Sequence, residues 1–467
     1  MNTKPLLVIA LMHDYAARDF VDSGVAAELS RGFQIAFISS ARLTIDLSPF
    51  GPVVAQHEMT GFRLRVYWLA AGLWHMATKR RFELTHRNAL RQACFGVSAK
   101  AEGLIDGLTR LGLARPFAAL FRAILRATAP RLIPESPAPF AVLAYTSVRS
   151  FFVDDVVRDA ARRGIPLLAL VNNWDNLNTK SFLEVPPYLG VWGEQGFLIA
   201  RLMYLIPAHR IFVIGAPRFE VYRGAIPGRR EARADMGIAP DARVVLFCGA
   251  GVSFEEVSLL DELEDAIENG ALPRDLVVLY KPHPLRFKRV SEKPFDETAY
   301  RHVRLVTAGT RTLTELQFYP ALLAASDALI SPFSSMVVEG ARFGLPALCL
   351  GYNDPGHANH DWNRAAFNLH SYVVRHGDWG IVCERREDFG RSCQQLVSLI
   401  GDPDVAACAR AAAEMVWRTG LTPVSGRLAA ALRAVAEGRH ADNSLVESLA
   451  PSTLFDSARD LMAVSKD

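Results

Sequence analysis

A hydroxyl-bearing turn in the second half of the chain has the residue types of an anion site. The apolar strand pattern Ala328–Ile330 runs into Ser331-Pro332-Phe333-Ser334-Ser335, and a helical pattern begins at Met336. Free backbone N–H groups and the helix dipole point at whatever binds at such a turn, so the turn favours negative charge. We therefore expect Ser334 and Ser335 to bind a phosphate.

A lysine and a histidine follow another buried-strand pattern upstream. The run Leu276–Tyr280 would deliver Lys281 and His283 to the carboxyl end of the same parallel sheet. Cationic side chains beside two hydroxyls and a helix N-terminus would stabilise negative charge on a departing phosphate. His283 is therefore a candidate for catalysis as well as for binding, and the alternative is a structural histidine at a turn.

A carboxylate and a pair of glycines could complete a nucleotide site. Glu339 lies about one helical turn beyond Ser335 and on the same side, where it could accept both hydroxyls of a ribose. A solvated helical glutamate is the alternative. Gly249 and Gly251 permit a ligand to approach the backbone closely, and Ser253 caps the start of a helical pattern beside them. A tight turn without a ligand explains the glycines equally well.

Length and periodicity predict two α/β domains. The chain has 467 residues, of which 50% are hydrophobic and 22% are charged, and strand patterns alternate with helical patterns in both halves. We expect two Rossmann-like, doubly wound domains that face a cleft, at residues 1–225 and 240–440, with a polar tail at 441–467.

Cysteine usage and hydropathy favour a cytoplasmic protein. The six cysteines form no C-x-x-C pair, and several lie in apolar runs, so buried thiols in a reducing compartment are expected. The apolar run Pro5–Met12 reads as a first strand and not as a signal peptide. No segment approaches the roughly 20 apolar residues that cross a bilayer.

A basic helical region interrupts the first domain. Residues 57–131 contain 13 Lys and Arg against four acids, a net charge of +9, whereas the whole chain has +3. Aromatic residues precede Lys79-Arg80-Arg81, so the region could lie on an anionic membrane or hold an anionic acceptor. A solvated basic helix face is the alternative. No nucleic-acid-binding motif accompanies the charge, so nucleic acid is not an expected partner.

A series of ordered motifs resembles bacterial GT-B enzymes related to CDP-glycerol glycerophosphotransferases. The motifs are Asn173–Lys180, Val191-Trp192-Gly193, Gly215–Phe219, Lys281–Pro284 and Ser326–Glu339, with Gly344 and Pro346 after them. The His-Pro and Ser-Ser pairs also resemble those of bacterial sialyltransferases and Kdo transferases, which use CMP-sugars. The sequence departs from the glycerophosphotransferase pattern at Ser331-Pro332-Phe333, where an aspartate and an aromatic residue are typical.

The resemblance implies that the second domain holds a nucleotide-linked donor through His283, Ser334, Ser335 and Glu339. It also implies that the first domain supplies acceptor contacts and a catalytic base.

Two aspartates are candidates for that base. Asp14 follows the first strand and Asp175 lies in the Trp-Asp-Asn loop, and both positions are at strand ends that should face the cleft. Asp175 could equally organise its own loop through Asx-type bonds. Lys180 and Arg218 would add positive charge at the same rim.

Metal-independent transfer is expected. Asp402-Pro403-Asp404 lies between two helical patterns and not at a strand end, and His357 with His360 is a thin ligand set for zinc. No cofactor is expected besides the nucleotide-linked donor, which is a substrate.

These observations predict an enzyme of surface-polysaccharide biosynthesis, such as that of capsule or lipopolysaccharide. It would transfer a sugar from a nucleotide donor to a glycan or lipid-linked acceptor, at the inner face of the cytoplasmic membrane. Polyol-phosphate transfer from a CDP-glycerol-type donor and 2-epimerisation of a nucleotide sugar remain open alternatives.

Overall fold

The computed structural model places the chain in two compact units. It describes residues 4–83, 86–94, 97–146, 148–249, 251, 254–283, 293–306, 315–353, 368–418 and 422–442. The first unit contains the described residues up to Glu220 and those at 422–442. The second unit contains the described residues from Val221 to 418. The two units are called the first and second domain below.

The first domain is built on a parallel sheet. Within the described residues this sheet has seven strands, in the order β3-β2-β1-β4-β5-β6-β7. The strands are β1 (Leu6–Leu11), β2 (Gln34–Ser39), β3 (Val53–Gln56), β4 (Ala141–Thr146), β5 (Leu167–Val171), β6 (Tyr188–Val191) and β7 (Ile211–Val213). The central strand β1 is buried along its whole length, as expected for a parallel strand covered by helices on both faces.

Helices cover this sheet and form the basic region. They are α1 (Asp14–Val21), α2 (Val25–Gly32), α3 (Gly61–Lys79), α4 (His86–Ala93), α5 (Ala99–Arg110), α6 (Ala114–Ala127), α7 (Phe151–Arg163), α8 (Asn176–Thr179) and α9 (Glu194–Tyr204). Between β1 and β2 the chain forms two short helices, α1 and α2. The break falls at Gly24, whose φ of 78° is in the left-handed region.

The second domain repeats this plan. Within the described residues its sheet has six parallel strands, in the order β10-β9-β8-β11-β12-β13. The strands are β8 (Arg243–Cys248), β9 (Leu276–Lys281), β10 (Val303–Leu305), β11 (Ala328–Ser331), β12 (Ala347–Leu350) and β13 (Gly380–Cys383). The helices are α10 (Arg229–Asp235), α11 (Glu256–Glu268), α12 (Phe318–Ala325), α13 (Ser335–Arg342), α14 (Tyr372–Arg375), α15 (Phe389–Ser398) and α16 (Pro403–Val416). The predicted pair of Rossmann-like, doubly wound domains is therefore present.

The predicted domain boundaries need correction. The last described helix, α17 (Val424–Ala436), was assigned to a second domain ending at residue 440, but it belongs to the first domain. Its buried residues Leu428 and Leu432 join Leu7 and Leu168 in one hydrophobic core. The second domain also begins earlier than residue 240, because Arg233 of α10 bonds to Asp327 at 2.5 Å.

Much of the basic region's charge is paired inside the first domain. Arg63 contacts Asp155 at 2.9 Å, and Arg126 contacts Glu184 at 2.7 Å. Asp155 and Glu184 lie outside residues 57–131, so counting charges within that segment overstates its free positive charge. The region is helical as predicted, and part of its charge stabilises its packing against α7.

Two further expectations concern the thiols and the membrane. All six cysteines are free, and five of them are buried. In the part of the chain that the structure describes, no helix is both long and apolar enough to cross a membrane.

Candidate functional site

The carboxyl edge of the second sheet brings the predicted donor-binding segments together. The strand order reverses direction between β8 and β11, and open α/β sheets bind ligands outside the carboxyl ends of their strands at such a point. Gly249 and Gly251 follow β8, Lys281 ends the neighbouring β9, and the serine turn follows β11. Segments distant in the sequence therefore meet at one edge.

The pKa of the Cys248 thiol, at the end of β8, depends on charged side chains from three elements. Burial raises the pKa of this thiol to about 12; Lys281 acts in the opposite direction, and Glu339 and Glu256 add to the increase. Lys281 is the register partner of Cys248 in β9. Because electrostatic effects of this kind weaken with distance, side chains from β9, α13 and α11 must lie near the same sulfur.

The serine turn is shaped by an internal hydrogen bond and a strained residue. The hydroxyl oxygens of Ser331 and Ser334 lie 2.6 Å apart. Phe333 between them has a φ of 25°, which a non-glycine residue rarely adopts and which functional sites often retain. Helix α13 begins at Ser335, and the Ser334 side chain does not cap it. The Ser334 hydroxyl is thus held at the helix N-terminus without being bonded to the helix backbone.

His283 lies against the glycine loop, and Lys281 is buried at the strand end. A Cβ atom added to Gly251 would lie 3.4 Å from Nε2 of His283. The Lys281 side chain is largely buried, with its ammonium 5.0 Å from the ring centroid of Tyr319. The structure therefore brings Gly251, Lys281 and His283 together, as the sequence predicted.

Glu339 is buried and bonded to a tyrosine that the sequence did not single out. Only 2% of Glu339 is exposed, and its Oε2 accepts a short hydrogen bond from the Tyr222 hydroxyl. The Tyr222 ring packs between Phe343 and Trp417. The alternative of a solvated helical glutamate is wrong, because the side chain is enclosed. No motif marks Tyr222, which lies just before the predicted end of the first domain at residue 225.

A second buried carboxylate lies beneath the glycine loop. Glu256 is fully buried and accepts a hydrogen bond of 2.6 Å from the Tyr280 hydroxyl. A Cβ atom at Gly249 would lie 2.6 Å from Oε2 of Glu256, so a larger residue there would require the carboxylate to move. The helix that Ser253 was expected to cap, α11, begins at Glu256 with Glu255 at the N-cap. Ser253 itself lies outside the described residues.

In the first domain, Asp14 is bonded to a neighbouring loop. Its Oδ1 accepts from the backbone N–H of Thr44 at 2.7 Å and of Ile45 at 3.2 Å, and its Oδ2 accepts from the Thr44 hydroxyl at 2.8 Å. Both oxygens are therefore engaged in holding the segment after β2.

Asp175 is in a different environment. Its Oδ2 accepts from the Thr179 hydroxyl at 2.9 Å, whereas its Oδ1 is buried without a hydrogen-bond partner among the described residues. Burial lowers the pKa of Lys180, and the nearby Asp175 carboxylate counteracts this. Burial likewise lowers the pKa of His13, which Lys180 lowers further. His13, Asp175 and Lys180 are thus neighbours at the carboxyl edge of the first sheet.

A buried lysine from the basic region holds this loop in place. The Lys79 ammonium donates to the carbonyl oxygens of Leu177 at 2.5 Å and of Asn178 at 3.1 Å, and also to that of Lys180. The Tyr204 hydroxyl reaches the Leu177 and Lys180 carbonyls as well. Three ammonium protons thus satisfy carbonyls that the short helix α8 and its end leave unpaired.

Arg218 lies near the hydrogen-bonded pair of Tyr145 and Asp19 in the same domain. Its guanidinium is 5.5 Å from the ring centroid of Phe219. Burial raises the pKa of Tyr145 well above its usual value, Asp19 adds to this, and Arg218 opposes it. The Tyr145 hydroxyl donates to Asp19 at 2.8 Å. Arg218 is therefore close to the end of β4.

The Asp402-Pro403-Asp404 motif, which was considered for metal binding, forms the start of a helix. Asp402 caps α16 by accepting from the backbone N–H of Asp404 at 2.8 Å. Among the described residues, Glu264, Glu268 and His302 form one cluster with ligand-like spacing. His302 directly precedes β10, so the cluster lies at the amino edge of the sheet, away from the serine turn. His357 and His360 lie outside the described residues.

Comparisons with known proteins show the fold. No protein-family model matches the chain, and no curated protein matches it by sequence. A Listeria monocytogenes protein assigned as a UDP-N-acetylglucosamine 2-epimerase is 11% identical with a TM-score of 0.53, and covers 93% of this chain and 97% of its own. MnaA of S. aureus, solved with UDP, is 9% identical with a TM-score of 0.51, and the match covers 93% of this chain and 97% of MnaA. The UDP-N-acetylglucosamine 2-epimerase of Rickettsia bellii is 12% identical with a TM-score of 0.50, and the match covers 93% of this chain and 98% of the epimerase.

This likeness extends over both domains. At such low identity it establishes a common architecture and no particular activity. The chain therefore has the GT-B fold that its motifs implied.

Proposed function

We propose that this chain is a glycosyltransferase that moves a sugar from a nucleotide-linked donor to a surface-polysaccharide or lipid-linked glycan acceptor. The observation that carries the proposal is the meeting of Lys281, His283, the Ser334-Ser335 turn and Glu339 at the carboxyl edge of one sheet. This set offers two cationic side chains, hydroxyls and a helix N-terminus to phosphate, and a buried carboxylate to a ribose.

In the proposed reaction, an acceptor hydroxyl attacks the anomeric carbon of the donor and the bond from that carbon to the phosphate oxygen breaks. The negative charge that develops on the leaving phosphate falls beside Lys281 and His283, where positive charge stabilises it. The hydroxyl proton passes to a carboxylate of the first domain.

Asp175 is the better candidate for that carboxylate. Its Oδ1 lacks a partner among the described residues, whereas both oxygens of Asp14 already accept hydrogen bonds. A buried acceptor without a partner is unfavourable until a donor such as an acceptor hydroxyl occupies it. Lys180 and Arg218 add positive charge near the same strand ends.

Calorimetric titration with CMP, CDP, UDP and GDP tests the donor site. At least one of these nucleotides should bind, and binding of none would contradict the proposal. His283→Ala should lower turnover by roughly two or three orders of magnitude, as loss of one stabilising group of this kind does elsewhere. His302→Ala, at the amino edge of the same sheet, is the matched control and should retain activity.

Epimerisation of a nucleotide sugar is the second candidate, because similar structures include UDP-N-acetylglucosamine 2-epimerases. An epimerase converts the nucleotide sugar without an acceptor, whereas a transferase releases the nucleotide only when an acceptor is present. Mass analysis of the product also separates sugar transfer from polyol-phosphate transfer, since only the latter adds phosphorus.

Transfer without a divalent metal and a location at the inner face of the cytoplasmic membrane belong to the same proposal. Turnover that persists in a chelator would support the first. Association with lipid vesicles would support the second.

A further inference from the structure

The hairpin of α5 and α6 in the first domain exposes large apolar side chains. Leu104 is 46% exposed, Leu111 74%, Leu113 39% and Leu120 54%. Leu111 and Leu113 form the turn between the two helices, and Leu104 and Leu120 lie on the helices themselves. The exposed side of the hairpin is called the outer face below. A cluster of exposed leucines on one hairpin marks an interaction surface more often than an isolated exposed residue does.

Helix α6 has an unusual composition for a surface helix. Every polar residue in it is an arginine, and the remaining residues are apolar. Its inner side, with Ala118 and Leu125, is fully buried, while Ala119 and Leu120 on the outer side are exposed. A helix that is apolar on both sides normally has a second surface to cover it.

The exposed charged residues of the hairpin are all cations. Lys100 and Arg115 are exposed, and no described carboxylate is paired with either. The chain contains no acid from Gly107 to Pro134. The two acids of α5 are half-buried: Asp106 is paired with His86 and Arg110, and Glu102 lies two residues after Lys100. Unlike Arg122 and Arg126, which bond to Glu184, Lys100 and Arg115 have no such internal role.

From these observations we infer that the outer face of α5 and α6 docks onto an anionic phospholipid surface. Leucines can enter the boundary between headgroups and acyl chains while the lysine and arginine contact lipid phosphates. A second copy of the chain fits less well, because a symmetric contact of this face with itself would place cations against cations. The inference rests on the proposed function, in which a lipid-linked acceptor lies at such a surface.

The test is sedimentation of the full chain with vesicles. The protein should bind vesicles of phosphatidylcholine mixed with phosphatidylglycerol, bind phosphatidylcholine alone weakly, and dissociate at high salt. Leu111→Ser with Leu120→Ser should weaken binding by roughly tenfold or more, because each leucine loses its apolar burial. Arg115→Glu should weaken binding by at least about fivefold, as expected for one cation near such a surface.

Matched substitutions elsewhere in the first domain serve as controls. Leu205 is 73% exposed and Arg201 is exposed on α9; Leu205→Ser and Arg201→Glu should leave vesicle binding unchanged. Equal binding to both vesicle types, or binding that survives the leucine substitutions, would overturn the inference. So would a dimer in solution that the leucine substitutions convert to a monomer. Nucleotide titration of the same variants tests the donor site separately, so failure of docking and failure of the proposed function are distinguishable.

Discussion

At the scale of single residues, the buried Glu339 depends on a partner outside every motif. Its Oε2 accepts from the Tyr222 hydroxyl, and the Tyr222 ring is fixed between two aromatic rings. A carboxylate with so little exposure can serve a ribose only if its orientation is set in advance. We therefore regard Tyr222 as a positioning residue for Glu339.

Tyr222→Phe should weaken binding of the preferred ribonucleotide by roughly tenfold, the typical effect of losing a hydrogen bond to a charged group. Binding of the 2′,3′-dideoxy form of the same nucleotide should hardly change, because it lacks the hydroxyls that Glu339 would accept. Calorimetry measures both affinities. Tyr300→Phe removes another hydroxyl-to-carboxylate bond of the same domain, to Asp261 at 2.6 Å, and should affect neither. Equal losses for the two nucleotides would assign Tyr222 a merely structural role.

Substitutions of the two candidate bases, Asp14 and Asp175, should have different effects on the catalytic rate and on stability. Asp175→Asn should lower kcat by about two orders of magnitude or more, as expected for a general base, with little change in the unfolding midpoint. Asp14→Asn should instead lower the free energy of unfolding by about 1–3 kcal/mol, because the backbone N–H groups of Thr44 and Ile45 lose a charged acceptor. Rate assays and urea unfolding of both variants check this. The reverse pattern would make Asp14 the base.

At the scale of elements, a helix of the basic region positions the loop that carries Asp175. Lys79 ends α3, and its ammonium binds three carbonyls around α8. The cation also lies 4.4 Å from the centroid of the Tyr204 ring. The basic region therefore contributes to the candidate catalytic edge as well as to the surface.

Lys79→Met keeps the length of the side chain but leaves buried carbonyls without donors. It should reduce kcat roughly tenfold to a hundredfold, because small displacements of a catalytic group are costly, while KM for the donor stays unchanged. Hydrogen exchange should accelerate around residues 176–180. The control is Lys4→Met, since Lys4 also donates to a carbonyl, that of Ser30 at 2.8 Å, but in an exposed position. An unchanged exchange rate around α8 would contradict the assignment.

At the scale of the whole molecule, the chain returns to its first domain after forming the second. Helix α17 packs into the first hydrophobic core, and its N-terminal backbone N–H, on Val424, donates to Glu220 at 2.7 Å. Arg427 donates to the Ile214 carbonyl at 2.7 Å. The folding of the first domain therefore needs residues from both ends of the described chain.

Leu428→Ala should lower the free energy of unfolding of the first domain by about 2–5 kcal/mol, since Leu428 is fully buried. Hydrogen exchange should accelerate in β1 and β4, although both are more than two hundred residues away in the sequence. Leu396→Ala, in the core of the second domain, should instead accelerate exchange in that domain's own strands. If Leu428→Ala affected only the second domain's strands, the assignment of α17 would be incorrect.

The sequence by itself determined most of the elements and the segments of the candidate donor site. Apolar runs marked β1, β9 and β11 within a residue or two, because strands buried on both faces have continuous apolar patterns. The short strands β3 and β13 were missed. Positions at strand ends were enough to select Lys281, His283, Ser334 and Ser335 as candidates, since parallel strands place their carboxyl ends on one edge. Glu339 was selected by its helical spacing from Ser335.

Tertiary structure decided what depends on contacts between distant residues. It paired Glu339 with Tyr222, placed Lys79 under the Asp175 loop, neutralised Arg63 and Arg126 with carboxylates outside the basic region, and returned α17 to the first core. Local periodicity records which side of an element is buried, but not which partner buries it. Hydrogen bonds and ion pairs between distant residues form only when packing brings them together, so these partners could not be predicted from spacing along the chain.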